Sequence, residues 1–178
     1  MTLRSVFMGS IAALLILNTG CAAQTSTSSS PNRTTVYVVR HAEKLDTSSD
    51  TPLSSVGEER ATALADRLGD ANVQRIYATT LLRTQQTVDV LAKRLDLVPA
   101  LVEPEAIVEL VARIKAEDRG KVVLVAGHSN TVPAIVQGLS GKTIDAIPES
   151  QFDRLYRVVI EENGSAEVEV LQYGAATP

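Results

Sequence analysis

"TTVYVVRHAEK", Thr34 to Lys44, is the stretch whose reading decides the fold. Thr35, Val36, Tyr37, Val38 and Val39 are β-branched or aromatic, side chains that lose little freedom on a pleated, packed surface, so the run predicts a short buried strand. Arg40 and His41 then stand side by side just past its end. A second strand is expected at "VQRIYAT" and a weaker one at "PALVE". "KVVLVAG" is the most apolar strand of the chain and is continuous rather than alternating, as in a central strand covered on both faces.

Helical periodicity fills the intervals. In "LSSVGEERATALADRLGDAN", Ser55 and Glu58 have capping-box spacing; Ala61, Leu64, Ala65 and Leu68 share one face, and Gly69 is the expected stop. Val88, Leu91 and Leu95 mark a second helix, and Ile107, Leu110, Val111 and Ile114 a third. A fourth starts near Thr131, tolerates Pro133 in its first turn and ends near Gly141. "RLYRVVIEENGSAEVEVLQYG" is two alternating runs joined through Asn163-Gly164, a hairpin signal. The fold class expected is α/β: three layers, α/β/α, with a mostly parallel central sheet and a C-terminal β-hairpin.

The N-terminal residues have a different character. Residues 1–20 carry one basic residue, Arg4, then a short apolar run from Val6 to Leu17, the form of an export signal. The run is shorter than the roughly 20 residues that a spanning helix needs. "LNTGCAAQ" resembles the lipobox of bacterial lipoproteins, with Asn18 where an aliphatic residue is usual, and it implies lipidation of Cys21, the only cysteine. Residues 21–33 are Ser/Thr-rich and read as a flexible tether, with the domain at 34–178. The expected location is the cell envelope: an exported lipoprotein on the periplasmic face of an outer membrane, touching membrane through its lipid anchor alone.

Charge narrows the partners. Lys and Arg number 17 against 21 Asp and Glu, a net −4, and loss of Arg4 with the signal would leave −5. An acidic chain with no basic cluster argues against nucleic acid as partner. An anionic substrate has to be captured by local positive charge rather than by the field of the whole protein. Aromatic residues are 3% of the chain and tryptophan is absent, so the core must be aliphatic.

Local positive charge is found at one edge. In open α/β sheets ligands bind beyond the carboxyl ends of the strands, where Arg40 and His41 lie. The one other histidine, His128, follows the "KVVLVAG" strand, and Arg83 falls in the first turn of the helix after "RIYAT". Taken singly, each would pass for a hydrogen-bonded histidine or a solvated arginine. Together, two histidines and two arginines reach one rim from three strand ends. Guanidinium forks match phosphate oxygens, and a neutral imidazole can carry a phosphoryl group covalently with no metal or other cofactor.

These motifs resemble those of the histidine phosphatase superfamily (phosphoglycerate mutase-like). "RHAEK" is similar to its Arg-His signature, with Ala42 where many members have glycine; "LSSVG" at Leu53 to Gly57 is similar to its loop-to-helix motif. "TTLLRTQQT" at Thr79 to Thr87 follows its Ser-x-Leu-x-Arg-x-x-x-Thr pattern with threonine first, and "AGHSN" matches the second histidine. The resemblance implies His41 as phosphorylated nucleophile and Arg40, Arg83 and His128 as the phosphate pocket. It also implies a carboxylate general acid, for which Glu105, Glu103 and Asp153 are the candidates. Lys44 and Asn130 are the substrate-binding candidates, and Glu43 and the "LDTSSDTP" loop are expected to border the pocket. The shortness of the chain resembles small phosphohistidine and sugar-phosphate phosphatases, implying a small phosphorylated substrate or phosphohistidine and hydrolysis rather than mutase transfer.

Two rival classes were weighed. "GHSNT" superficially resembles a Gly-x-Ser-x-Gly elbow, but its fifth residue is Thr131 and no histidine follows His128, so an α/β-hydrolase triad cannot be completed. A non-catalytic envelope lipoprotein that binds a phosphorylated ligand is the alternative.

Overall fold

The computed structural model describes Met1 and residues 33–178. The rest of the expected signal, Cys21 and all of the expected tether except Arg33 lie outside the described residues. The elements are β1 (Thr34–Arg40), α1 (Ser55–Leu68), β2 (Arg75–Thr79), α2 (Leu82–Arg94), β3 (Ala100–Val102), α3 (Ile107–Glu117), β4 (Val122–Gly127), α4 (Thr131–Ser140), β5 (Arg154–Ile160) and β6 (Ala166–Gln172). They form one six-stranded sheet in the order β3-β2-β4-β1-β5-β6. β3, β2, β4 and β1 pair in parallel, and β5 and β6 add antiparallel. The expected α/β fold with a mostly parallel sheet and a closing hairpin is therefore the one adopted.

Side-chain alternation splits the core into two layers. Val36 and Val38 of β1, with Val123 and Val125 of β4, pack on Leu110 and Ile114 of α3 and Val132, Ile135 and Val136 of α4. The next residues along, Val39, Leu124 and Ala126, face Leu64, Ala65 and Leu68 of α1 and Val88 and Leu91 of α2 on the other side. Burial on both faces is why β4 reads as a continuous apolar run.

Two local expectations are corrected, and the expected hairpin through Asn163-Gly164 forms. The cap of α1 is Ser54, not Ser55: Ser54 has extended backbone (φ −77°, ψ 171°), and its Oγ accepts from the Gly57 amide at 3.2 Å. Gly57, not Glu58, thus takes the third helical position, and its lack of a side chain lets α1 lie against the Glu43 carbonyl, which a Cβ there would strike. Arg40 is the last residue of β1 rather than the first beyond it, paired with Gly127. In the hairpin only Gly164 adopts positive φ (+83°): Glu161 N donates to Ser165 O and Gly164 N to Glu161 O. The turn is thus a three-residue loop with glycine in the left-handed position.

Candidate active site

The register of the two central strands brings the histidines together. Arg40 and Gly127 are partners at the ends of β1 and β4, and the His41 amide donates to the Gly127 carbonyl at 2.8 Å. His41 and His128 are therefore the first residues beyond two adjacent parallel strands. Their rings meet edge to face, with centroids 5.4 Å apart. β2, on the far side of β4, leads into α2 and delivers Arg83 on its first turn.

Hydrogen bonds fix the state of each ring. His41 Nδ1 lies 2.7 Å from the Ala42 carbonyl, which can only accept, so the ring is the Nδ1–H tautomer and the Nε2 lone pair is uncommitted. Burial pulls His41 down to about 3; the Ala42 hydrogen bond works the other way, and Arg40, His128 and Arg83 deepen the fall. The nucleophile candidate is thus neutral well below pH 7.

His128 is also pulled down, to about 4, by burial first and then by Arg83, Arg40 and Lys44. It is thus neutral at pH 7, whereas donation from both ring nitrogens would need an imidazolium. Its tautomer follows from a chain of hydroxyls. Thr84 Oγ1 donates to backbone carbonyls, at 2.8 Å to Leu81 O, so it accepts from Thr79 Oγ1 at 2.7 Å. Thr79 Oγ1 in turn accepts from His128 Nε2 at 3.1 Å. The proton of His128 is therefore on Nε2, and Nδ1 holds the lone pair.

Both arginines are held by backbone carbonyls. Arg40, 3% exposed, donates from Nη1 to the carbonyls of Pro148, Glu149 and Gln151 and from Nη2 to the Glu149 carboxylate at 2.7 Å. Its guanidinium carbon lies 4.2 Å from the Phe152 ring centroid. Arg83 Nη1 donates to Ser49 O at 2.8 Å, and Asp50 Oδ1 accepts from the Leu82 amide at 2.7 Å, supplying the cap that Leu81 cannot. The expected loop at Leu45 to Pro52 thus borders the site by gripping the start of α2. In both arginines Nε is buried without an acceptor among the described residues. A buried N–H donor without a partner costs free energy, so two of them at one site point to an absent acceptor.

Other candidates fall unequally. Glu105 and Asn130 line, with Arg83 and His128, a cavity of about 450 Å³. Lys44 pairs across a short bridge with Leu53, and its charge bears on His128. Glu103 lies in the neighbouring turn, where it accepts from Thr80 Oγ1 at 3.1 Å. Asp153 is only 1% exposed, its carboxylate engaged by Thr177 Oγ1 at 2.8 Å and Gln172 Nε2 at 3.1 Å, so it serves the C-terminal strand. Glu43 is committed to a pair: both of its oxygens accept from Arg60 Nε at 2.9 Å, and its charge also acts on Arg40.

Three contributions were not among the site residues expected from the sequence, although Thr87 closes the motif that carries Arg83. Thr87 Oγ1 donates to Arg83 O at 2.6 Å and accepts from Ala42 N at 2.9 Å, tying the arginine's helix to the loop after His41. Arg60, buried, joins Glu43 to the Tyr173 and Ala175 carbonyls. The 148–152 segment clamps Arg40 from more than a hundred residues away.

Comparison with known proteins agrees with this geometry. The model of the "Histidine phosphatase superfamily (branch 1)" matches residues 36–107, which include Arg40, His41 and Arg83. The Enterobacter sp. (strain 638) protein named "Probable phosphoglycerate mutase GpmB" is 38% identical over 64 residues, 32% of this chain and 30% of that protein's length. Among solved structures, the protein histidine phosphatase SixA complexed with tungstate superposes with a TM-score of 0.63 at 23% identity, covering 78% of this chain and 96% of that one. A mycobacterial glucosyl-3-phosphoglycerate phosphatase gives 0.65 at 14% identity, covering 80% and 100%. The fold is the histidine phosphatase fold, and the family model covers the part of it that runs from β1 to the start of α3.

Proposed function

We propose that the chain is a phosphomonoester hydrolase that works through a phosphohistidine on His41. The observation that carries this reading is the pair of acceptorless Nε–H groups, on Arg40 and Arg83, beside a neutral imidazole whose Nε2 lone pair is uncommitted. In the first step Nε2 bonds to phosphorus as the ester P–O bond breaks, and the leaving oxygen takes a proton from the carboxyl of Glu105, which lines the cavity with Arg83 and His128. Water then attacks phosphorus as the Glu105 carboxylate takes a proton from it, the N–P bond breaks, and inorganic phosphate leaves with His41 and Glu105 restored. The guanidinium groups neutralise the charge spread over the transferring oxygens, which catalyses chiefly by preorganised electrostatics. An entering phosphoryl dianion opposes the arginine charges that hold His128 down, so Nδ1 gains a proton and becomes a donor only when substrate is bound.

The physiological substrate proposed is a small phosphoester or a phosphohistidine. The superposable structures that support this reading range from a protein histidine phosphatase to a glucosyl-3-phosphoglycerate phosphatase. We also propose that the domain is exported and held to the envelope by a lipid on Cys21. Cys21→Ser should abolish palmitate labelling and detergent-phase partition without changing the domain's activity; unchanged labelling would overturn the anchor.

Turnover of p-nitrophenyl phosphate, with and without chelator, tests the reaction. His41→Ala should abolish it and remove an acid-labile phosphoenzyme formed by the wild type. Equal radiolabelling of wild type and mutant would remove His41 from the nucleophile's role. Phosphate binding without turnover by the wild type would make the domain a binding module instead.

A further inference from the structure

Glu149 stands where it has no structural need to be. Its side chain is 79% exposed, yet its carboxylate is doubly held, by Arg40 Nη2 at 2.7 Å and by Ser129 Oγ at 2.8 Å. Ser129 directly follows His128, in the turn that starts α4, so the carboxylate spans from the pocket's buried arginine to a helix N-terminus. An anion bridging a guanidinium and a helix start has the surroundings of a bound phosphate group. Arg40 does not depend on this carboxylate for its place. Nη1 is fixed by three carbonyls of the 148–152 segment and the guanidinium is stacked on Phe152.

Arg40, Arg83 and Lys44 all act on His128 and none of the groups acting on it is acidic. Of the two carboxylates whose charge acts on Arg40, Glu149 has the larger effect, and Glu43 is engaged with Arg60. Glu149 is held below the usual carboxylate range by the Ser129 hydroxyl and by Arg40, and so is ionised at neutral pH.

We propose that Glu149 is the resident anion of the pocket, a carboxylate that covers Arg40 and yields it to the incoming phosphoryl group, thereby setting how strongly the site binds anions. The inference rests on the phosphatase reading of the same site. Its consequence is selectivity: a ligand has to outcompete a tethered carboxylate for Nη2, which favours a phosphomonoester dianion over weaker monoanions such as carboxylates. Release costs little packing because the side chain is exposed.

The test is calorimetric binding of inorganic phosphate to the unlabelled wild type and to Glu149→Gln, with Ser129→Ala as a second way of loosening the carboxylate. Removing one like charge near a dianion at a wet site should tighten the dissociation constant about tenfold. Ser129→Ala should tighten it less. The KM of p-nitrophenyl phosphate should fall in parallel in Glu149→Gln. If Glu149 instead served to position Arg40, Glu149→Gln would bind phosphate more weakly and lose kcat, and that result overturns the proposal while leaving the phosphatase reading intact. Unchanged phosphate affinity overturns it too. Absence of phosphate binding by wild type and both variants would overturn this proposal and the phosphatase reading together.

Discussion

The imidazoles of His41 and His128 share one desolvated recess with two arginines, their ring centroids 5.4 Å apart, and both are held neutral. The arrangement keeps His41, the proposed nucleophile, unprotonated where a free histidine would be half charged, near pH 6.5. Because these are the only two histidines of the chain, ring carbon resonances report them without ambiguity. Neither should titrate between pH 8 and about 5, and added phosphate should move His128 upward. A midpoint near 6.5 for either ring in the free protein contradicts the burial argument.

The same depression has a stability consequence with a definite sign. Between about pH 6.5 and 4 an unfolded chain binds protons that the folded histidines refuse, so stability falls as pH falls, by about 1.4 kcal/mol per pH unit for each fully affected ring. His128→Asn should therefore lose less stability than the wild type on going from pH 7 to pH 4.5, measured by urea unfolding. Parallel curves for the two proteins would show that the acid sensitivity arises elsewhere.

Arg83 has only one strong anchor, the Ser49 carbonyl, and an unpartnered Nε. Lysine preserves the charge but cannot present two parallel donors. Arg83→Lys should keep its fold and lose roughly 10- to 100-fold in kcat/KM, the worth of a charge-assisted hydrogen bond. Retention of full kcat/KM would exclude a direct role in phosphate binding.

Arg60 and Glu43 form a bidentate pair with the arginine 3% exposed, and the pair orders the loop that carries His41. Breaking a buried pair from one side strands the other charge, at a cost of about 3–5 kcal/mol. Arg60→Met should lower the melting temperature by roughly 10 °C, given 2–4 °C per kcal/mol for a domain of this size. A shift of a degree or two would mean that water reaches Glu43 freely.

Legibility in the sequence followed the range of the interaction. Strands and helices repeat with periods set by local backbone geometry, so β1, β4 and the buried faces of α1 and α2 were readable from spacing alone. His41 and His128 were readable because strand ends fix their position once the parallel sheet is inferred. The Arg40 clamp was not, since Pro148, Glu149, Gln151 and Phe152 lie in a loop with no periodicity and meet Arg40 only through the closing of β5 on β1. Arg60 looks like any polar residue of a surface helix, yet the C-terminal carbonyls of Tyr173 and Ala175 turn it inward. The one-residue error at the α1 cap has a local cause: Ser54 and Ser55 are chemically alike, and only the packing of Gly57 on the Glu43 carbonyl selects the first.

The proton donor is the residue that the geometry narrows most. Of three carboxylates with the right chain position, Asp153 is committed to Thr177 and Gln172, Glu103 is turned to Thr80, and Glu105 lines the cavity shared with Arg83 and His128. Placed proton donation is worth roughly 100- to 10,000-fold, and it matters when the leaving group is a poor one such as a sugar alkoxide. A p-nitrophenolate leaves without help. Glu105→Gln should therefore slow hydrolysis of an alkyl phosphate by at least about 100-fold while sparing p-nitrophenyl phosphate. Glu103→Gln should leave the ratio of the two rates unchanged. Asp153→Asn should lower the melting temperature and also leave that ratio unchanged, because its carboxylate binds the C-terminal segment and not the substrate. A phosphohistidine substrate would blur none of this, since the comparison is made between two oxygen esters in one enzyme. If Glu105→Gln slows both esters equally, the side chain shapes the cavity and does not deliver the proton.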